Sequence, residues 1–323
     1  MNGHRRPHSV ARARRRALRI LAALAVLGTT LSGAATSASA AVAHPEAPAV
    51  APGDHTVTLA HAGQRRTATV HVPRGYDGSS PLPTLLHFPG LYETPALADL
   101  FGRHSRHADD NGYLMVIPAH HGVGWQGVPG GTATPDVDDP GFVRKLLDTV
   151  VTQYHADPRR LYASGMSNGG FFTHKMACQL SDRFAAYTAV SGQLPTALAP
   201  TCAPGRPLPI LMIHGTEDPV VPYDDDAAPV APAAAFWARN NGCATTRIST
   251  DLPDTVPDRT TVTRHEWQQC PSDAPVALYD VVGGGHTWPG GIPFLPPPAL
   301  GWHTWDISAN SVIWDFVSRF TLP

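Results

Sequence analysis

The sequence predicts an α/β protein: a mainly parallel, doubly wound sheet with helices on both faces. Three observations carry this reading. Short apolar runs bounded by Pro, Gly or charged residues recur along the chain, as in strands buried on both faces. Stretches with apolar residues at helical spacing alternate with them. The chain has 323 residues, 42% hydrophobic and 15% charged, enough to bury a sizeable core and too apolar for a disordered chain.

The elements follow in order. Residues 55–59 and 67–72 alternate like strands around a turn at Ala62-Gly63. Residues 84–88, between Pro83 and Pro89, read as a buried strand, and 114–118 as another; one helix over 96–108 is expected between them. Asp138 and Asp139 offer a helix start before Phe142, Val143, Leu146, Leu147, Val150, Val151 and Tyr154, which share one helical face. Residues 161–164 form a strand and 169–180 a helix. Further strands are expected at 185–191, 210–214 and 276–282, with a helix at 233–240. A last helix runs from a Ser308 cap through Val312, Ile313, Phe316, Val317 and Phe320. Residues 290–300, with Pro293 and Pro296-Pro297-Pro298, read as a rigid loop. No internal repeat is present.

The charge is uneven. The formal net charge is −2, yet residues 1–40 hold Arg5, Arg6, Arg12, Arg14, Arg15, Arg16 and Arg19 and no acid. Without them 17 basic residues face 26 acidic ones, which disfavours nucleic acid as a partner. An apolar run at 20–31 follows the arginines, then small residues ending Ala38-Ser39-Ala40. This is the pattern of an export signal, cleaved after Ala40 or Ala43, and the run is too short to serve as a membrane anchor. Arg15-Arg16 with Leu18 loosely matches a twin-arginine signal. Residues 1–40 are thus expected to be a signal peptide, 41–53 a Pro/Ala-rich spacer, and 54–323 a single, secreted, monomeric domain. The four cysteines, Cys178, Cys202, Cys243 and Cys270, are expected to form disulfides after export. Three pairings are possible; the sequential one, which closes two short loops, is preferred. The tight C-x₂₋₄-C spacing of a zinc site is absent, and neither metal nor cofactor is expected.

The chemistry concentrates at Leu161-Tyr162-Ala163-Ser164-Gly165-Met166-Ser167-Asn168-Gly169-Gly170-Phe171. A Ser at the tip of a sharp strand-to-helix turn is crowded by the residues two before and two after, so Gly165 and Gly169 make room. The helix start also offers N–H groups to negative charge. A serine hydroxyl needs a base, and the base an orienting acid. On such a sheet both should follow the nucleophile, just past strand ends. Asp218 follows the apolar run Ile210-Leu211-Met212-Ile213, and His286 follows the glycine turn Gly283-Gly284-Gly285. Ser167, Asp218 and His286 are therefore the candidate triad, with Glu217 the rival acid and Asp224–Asp226 a solvated run. His174 is read as packed or solvated, and His87 and His214 as turn hydrogen-bonders. For the oxyanion of an acyl-transfer intermediate, the backbone N–H of Asn168 is one donor. The second is expected from His87-Phe88-Pro89-Gly90-Leu91-Tyr92. Pro89 has no N–H, so Leu91 comes first and Tyr92 second. Trp288, Tyr223 and Trp125 are the candidates for stacking on substrate.

Gly165-Met166-Ser167-Asn168-Gly169-Gly170, then Ala177-Cys178-Gln179-Leu180-Ser181-Asp182-Arg183-Phe184-Ala185-Ala186, resembles the secreted feruloyl esterase and polyhydroxybutyrate depolymerase family. So do His214-Gly215-Thr216-Glu217-Asp218-Pro219-Val220-Val221-Pro222-Tyr223, Gly284-Gly285-His286-Thr287-Trp288-Pro289-Gly290, and the segment from Ile307-Ser308-Ala309 to Phe316. The likeness runs from about Asp54 to Phe320. It implies an α/β-hydrolase fold, the Ser167/Asp218/His286 triad, no metal, and sequential disulfides. The oxyanion loop departs from the family's usual Leu-His-Gly followed by small residues, reading Leu86-His87-Phe88-Pro89-Gly90.

The expected function is a secreted serine carboxylesterase acting through an acyl-enzyme on feruloyl-type esters of plant cell-wall xylan. Polyhydroxybutyrate or polyhydroxyalkanoate depolymerisation is the alternative. The apparent lack of a tethered surface-binding module places it second. An inactive hydrolase-fold binding protein is the third reading, disfavoured because every triad position has a candidate in order.

Overall fold

The computed structural model describes residues 50–131 and 137–323. The expected signal, 1–40, and most of the spacer lie outside the described residues. Strands β1 (Gly53–His61) and β2 (Gln64–Val72) form a hairpin around Ala62-Gly63, in register from Gly53↔Val72 to His61↔Gln64. Next come β3 (Leu82–Phe88), α1 (Pro95–Gly102), α2 (His104–Asn111), β4 (Leu114–Pro118), α3 (Asp139–Gln153), β5 (Ala156–Met166), α4 (Asn168–Gln179) and β6 (Ala186–Val190). The chain continues with β7 (Ile210–Gly215), α5 (Val230–Asn240), β8 (Arg247–Asp251), β9 (Thr261–Trp267), β10 (Val276–Val282), α6 (Pro297–Leu300) and α7 (Ala309–Val317).

The ten strands form one sheet in the order β1-β2-β4-β3-β5-β6-β7-β10-β9-β8. From β4 to β10 every neighbour is parallel, and both flanks are antiparallel. Consecutive residues of the central strands serve opposite faces. Leu86, Leu114 and Val116 pack with Phe142, Leu146, Phe172 and Trp237 from α3, α4 and α5. Leu85 and Met115 pack with Ala98, Ala108, Ile313 and Phe316 from α1, α2 and α7. This two-sided burial explains why the central strands read as unbroken apolar runs.

Two expectations need correcting. The helix expected over 96–108 is two helices, because Arg103 takes a left-handed conformation (φ 56°). Asp99 enforces the break: its carbonyl accepts the Arg103 N–H at 2.7 Å, and its carboxylate accepts the Ser105 N–H at 2.6 Å. The second helix can then tuck His104 inward, where its Nδ1 lies 3.0 Å from Asn310 Oδ1. Strands β8 and β9 have no counterpart among the expected elements. They extend the sheet past β10, and β8 is exposed throughout, so neither shows an apolar run. The disulfides are Cys178–Cys202 and Cys243–Cys270, the preferred pairing. Each closes a loop of the size for which chain-entropy arguments give about 3 kcal/mol.

Several histidines are buried and kept neutral. His174 accepts the Trp237 indole N–H at 3.0 Å, and burial pulls its pKa down to about 3. Burial holds His104 and His303 down to about 4. Unfolding returns these rings to water, where a histidine titrates near 6.5. Between these limits the unfolded chain binds protons that the folded chain refuses, so stability falls as pH drops from about 6.5 toward 4. The expected slope is about 1.4 kcal/mol per pH unit for each histidine that stays neutral in the fold. Urea unfolding should show a lower midpoint at pH 5.0 than at pH 7.5; equal midpoints would contradict this account.

Candidate active site

The parallel strands deliver their C-terminal ends to one edge of the sheet, where loops from β3, β5, β7 and β10 converge. Ser167 stands between β5 and α4 with φ 55° and ψ −121°, a left-handed conformation that costs a non-glycine residue about 1–3 kcal/mol. Its N–H donates to Val190 O at 2.9 Å. The glycines beside it have the steric role expected of them. A Cβ on Gly165 would collide with Gly169 O, and one on Gly169 with Phe88 O.

Asp218 is buried in the turn after β7. Its Oδ2 accepts from His286 Nδ1 at 2.8 Å, and its Oδ1 accepts the N–H groups of Val220 and Val221, both at 2.8 Å. Burial pushes the Asp218 pKa up, but the bonds from His286 and Val221 outweigh it, leaving the carboxyl below its ordinary range. The Nδ1 bond leaves Nε2 as the basic nitrogen of His286. Glu217 is exposed, whereas Asp218 is the acid that meets the imidazole. His214 donates to Val221 O at 2.9 Å, bracing the Asp218 turn.

Ser167 and His286 line the same cavity, of about 460 Å³. Among the described residues no hydrogen bond joins their side chains. Leu91, Leu97, Phe101, Met166, Val220, Phe294 and Leu300 form an apolar wall, and Glu93 adds a carboxylate. A narrow recess continues past Met166, Phe101 and Phe294 to Trp288, which lies edge-on against His87 and His104 at centroid distances of 5.0 and 4.9 Å. Among the described residues no cluster of three or more His, Cys, Asp or Glu is arranged to hold a metal.

The remaining predicted site residues divide. Asn168 opens α4, so its N–H belongs to the unpaired first turn. Leu91 lines the cavity. Tyr92 must be withdrawn as an oxyanion donor, because its N–H is spent on Val123 O at 2.8 Å. Trp125 is no stacking surface for substrate. It is fully buried, stacked on Phe172 at 4.5 Å, and its indole N–H donates to Pro89 O at 3.0 Å. Tyr223 also lies outside the cavity: its hydroxyl donates to Asp280 at 2.8 Å, which turns the ring toward β10. Sequence reasoning missed two contributors. Glu93 belongs to no motif. The Asn168 side chain braces the site, its Oδ1 accepting the Trp125 N–H at 2.8 Å and its Nδ2 donating to Pro129 O at 2.7 Å.

Comparisons with known proteins bear on the fold and the class. Residues 108–198 match the model of the prolyl oligopeptidase family. The chain is 30% identical over 340 residues to the "Putative esterase NocK" of Nocardia uniformis subsp. tsuyamanensis, covering 91% of this chain and 96% of that protein. It is 26% identical to feruloyl esterase B of Piromyces equi, over 80% of this chain but 46% of that longer protein. The acetyl xylan esterase from Aspergillus awamori superposes with a TM-score of 0.54 at 15% identity, over 72% of this chain and 94% of that one, a likeness of fold. Fold and relatives define the class: an α/β-hydrolase that cleaves carboxylic esters. Within that class, the chain belongs to the feruloyl esterase and polyhydroxybutyrate depolymerase family.

The Trp125 tie to the loop after β3 is testable. Trp125→Phe keeps the stacked ring but leaves Pro89 O without its donor, at a cost of about 1–3 kcal/mol. The thermal midpoint should fall, and kcat on a p-nitrophenyl ester should drop with KM changed less than about twofold. A rise in KM alone would return Trp125 to the role of substrate contact.

Proposed function

We propose that this chain is a secreted serine esterase releasing feruloyl-type acids from plant cell-wall polysaccharide. Residues 1–40 act as its export signal and 54–323 as its catalytic domain. The observation that carries the reading is the buried Asp218–His286 pair, bonded at 2.8 Å and opening on the cavity that holds Ser167 in its strained turn. Ser167 Oγ attacks the acyl carbonyl while His286 Nε2 takes its proton. The tetrahedral oxyanion is met by the N–H groups of Asn168 and Leu91. Collapse expels the alcohol, which takes the proton from His286, and leaves an acyl-enzyme. Water then repeats the sequence through the same base, releasing the acid and restoring Ser167. Asp218 fixes the imidazole and stabilises its charged form.

The feruloyl preference draws on the relatives named feruloyl esterase and on the aromatic walls of the cavity. Phe101 and Phe294 stack at 4.8 Å beside the recess that ends at Trp288, giving a flat acyl group ring faces to lie against. The two disulfides suit an oxidising extracellular setting. One observation favours polyester as a second substrate. The cavity lining exposes Tyr92 (71%), Val220 (51%) and Phe294 (49%), and a poly(3-hydroxyoctanoate) depolymerase of Pseudomonas fluorescens is 30% identical over 43% of this chain.

Ser167→Ala should lower kcat on p-nitrophenyl acetate by about 10⁴-fold or more with an unchanged thermal midpoint. The wild type should release ferulate from arabinoxylan. Clearing of a polyhydroxyalkanoate suspension without ferulate release would put the polyester reading first, and full activity of Ser167→Ala would end the mechanism.

A further inference from the structure

The loop after β3 allows a complete account of its backbone donors. Gly90 N–H donates to Glu93 Oε2 at 2.8 Å, Tyr92 N–H to Val123 O at 2.8 Å, and Glu93 N–H to Gly90 O at 3.2 Å. Among the described residues, Leu91 N–H has no protein acceptor. Three donors of this four-residue turn are therefore spent, and the one left over borders the cavity. Gly90 itself lies against the nucleophile: a Cβ placed on it would sit 3.6 Å from Ser167 Cβ and 3.7 Å from Met166 O. The peptide that presents Leu91 N–H thus starts at a residue with only the room of one side-chain carbon between it and Ser167, and a single side chain holds that residue's own N–H.

That side chain is unusual in its setting. Glu93 reaches the walls of both the cavity and the inner recess. Among the described residues no Arg or Lys pairs with it, and Gly90 is its one side-chain hydrogen-bond partner. Burial raises its pKa, while the Gly90 N–H and the nearby His286 pull it back. A carboxyl placed in an apolar wall for solubility alone has no reason to sit there. A carboxyl that must accept one particular N–H does.

We propose that Glu93 is the positioning residue of the oxyanion site. By accepting the Gly90 N–H it clamps the Gly90–Leu91 peptide beside Ser167, and so keeps the Leu91 N–H aimed at the charge that develops on the substrate oxygen. The clamp stands in for the small-residue loop of the family pattern, which Phe88-Pro89 replaces here. Pro89 is held through its carbonyl by Trp125, Gly90 by Glu93, and Tyr92 by Val123. The proposal rests on Ser167 as nucleophile and Leu91 as donor. It adds that an acceptor at position 93, rather than a charge, is what the reaction requires.

The experiment compares Glu93→Gln, which keeps an acceptor oxygen, with Glu93→Ala and the space-filling Glu93→Leu, which do not. Fluorophosphonate labelling of Ser167 in the wild type is measured first and tests the nucleophile independently of Glu93. The readouts on a p-nitrophenyl ester are kcat, KM and the Ki of a trifluoromethyl ketone, which adds to Ser167 and forms an oxyanion. Thermal unfolding verifies the fold. Glu93→Ala and Glu93→Leu should lose about 10²-fold in kcat with KM within about threefold, and bind the ketone about 10²-fold more weakly. Glu93→Gln should restore both to within about threefold of wild type. Wild-type kcat in folded Glu93→Leu would overturn the proposal. So would equal losses in Gln and Leu, which would assign the effect to negative charge beside His286. If truncation to Ala prevents folding, Leu against Gln decides the matter.

Discussion

The site depends on one backbone constraint: Ser167 is held at φ 55° between a parallel strand and a helix. No ordinary residue adopts that conformation without cost, so the surroundings must over-determine it. They do so by backbone contact. Gly165 and Gly169 let the carbonyls of Gly169 and Phe88 approach where side chains would stand, and Val190 O takes the Ser167 N–H. Gly192 extends the same packing, since a Cβ there would strike Ser167 O. Three strands of the sheet therefore fix one dihedral pair. The loop after β3 inherits its position from that packing, because Phe88 and Gly90 lie directly against the turn.

The electrostatics follow from the same convergence. Asp218 is buried, which by itself disfavours its charge, and it stays ionised because three donors surround it: His286 Nδ1 and two backbone N–H groups. Removing only one would leave a buried carboxylate partly unsatisfied, which is costly. The neighbouring imidazoles take the opposite route. His87, His104 and His174 have no such array of acids, so burial drives them neutral. Of the histidines near this edge of the sheet, His286 is the one that meets a carboxylate within hydrogen-bond distance while lining the cavity with Ser167.

Much of this was legible in the sequence because it is local. β4 and β10 coincide with apolar runs, and the glycines around Ser167 declare a turn that tolerates no Cβ. The order Ser, Asp, His is readable because each residue follows its own strand. What the sequence hid is mostly non-local or carried by backbone. The break at Arg103 comes from an Asp99 side chain folding back, and polar periodicity cannot show it. β8 and β9 escape notice because an exposed flank needs no apolar run. The aromaticity of Trp125 and Tyr223 suggests a place at the site, but their hydrogen bonds to Pro89 O and Asp280 point them elsewhere. Residue type told that these side chains pack, not against what.

The cavity divides into an apolar and a polar side. Its walls are apolar along the side that leads to Trp288, and its polar groups, Ser167, His286 and Glu93, gather near the loop after β3. On the mechanism proposed above, the ester carbonyl meets that polar cluster, and an acyl group laid on the apolar wall would gain about 0.8 kcal/mol for each methylene-sized group buried. The recess beyond Met166 is narrow, about 20 Å³, and is walled by Phe101, Phe294 and Trp288. Two further residues of the cavity wall, Tyr92 and Val220, are exposed to solvent. Under the esterase reading proposed above, the packed rings of Phe101, Phe294 and Trp288 are the surfaces on which acyl selection would act, because they wall the recess that leads away from Ser167 and His286.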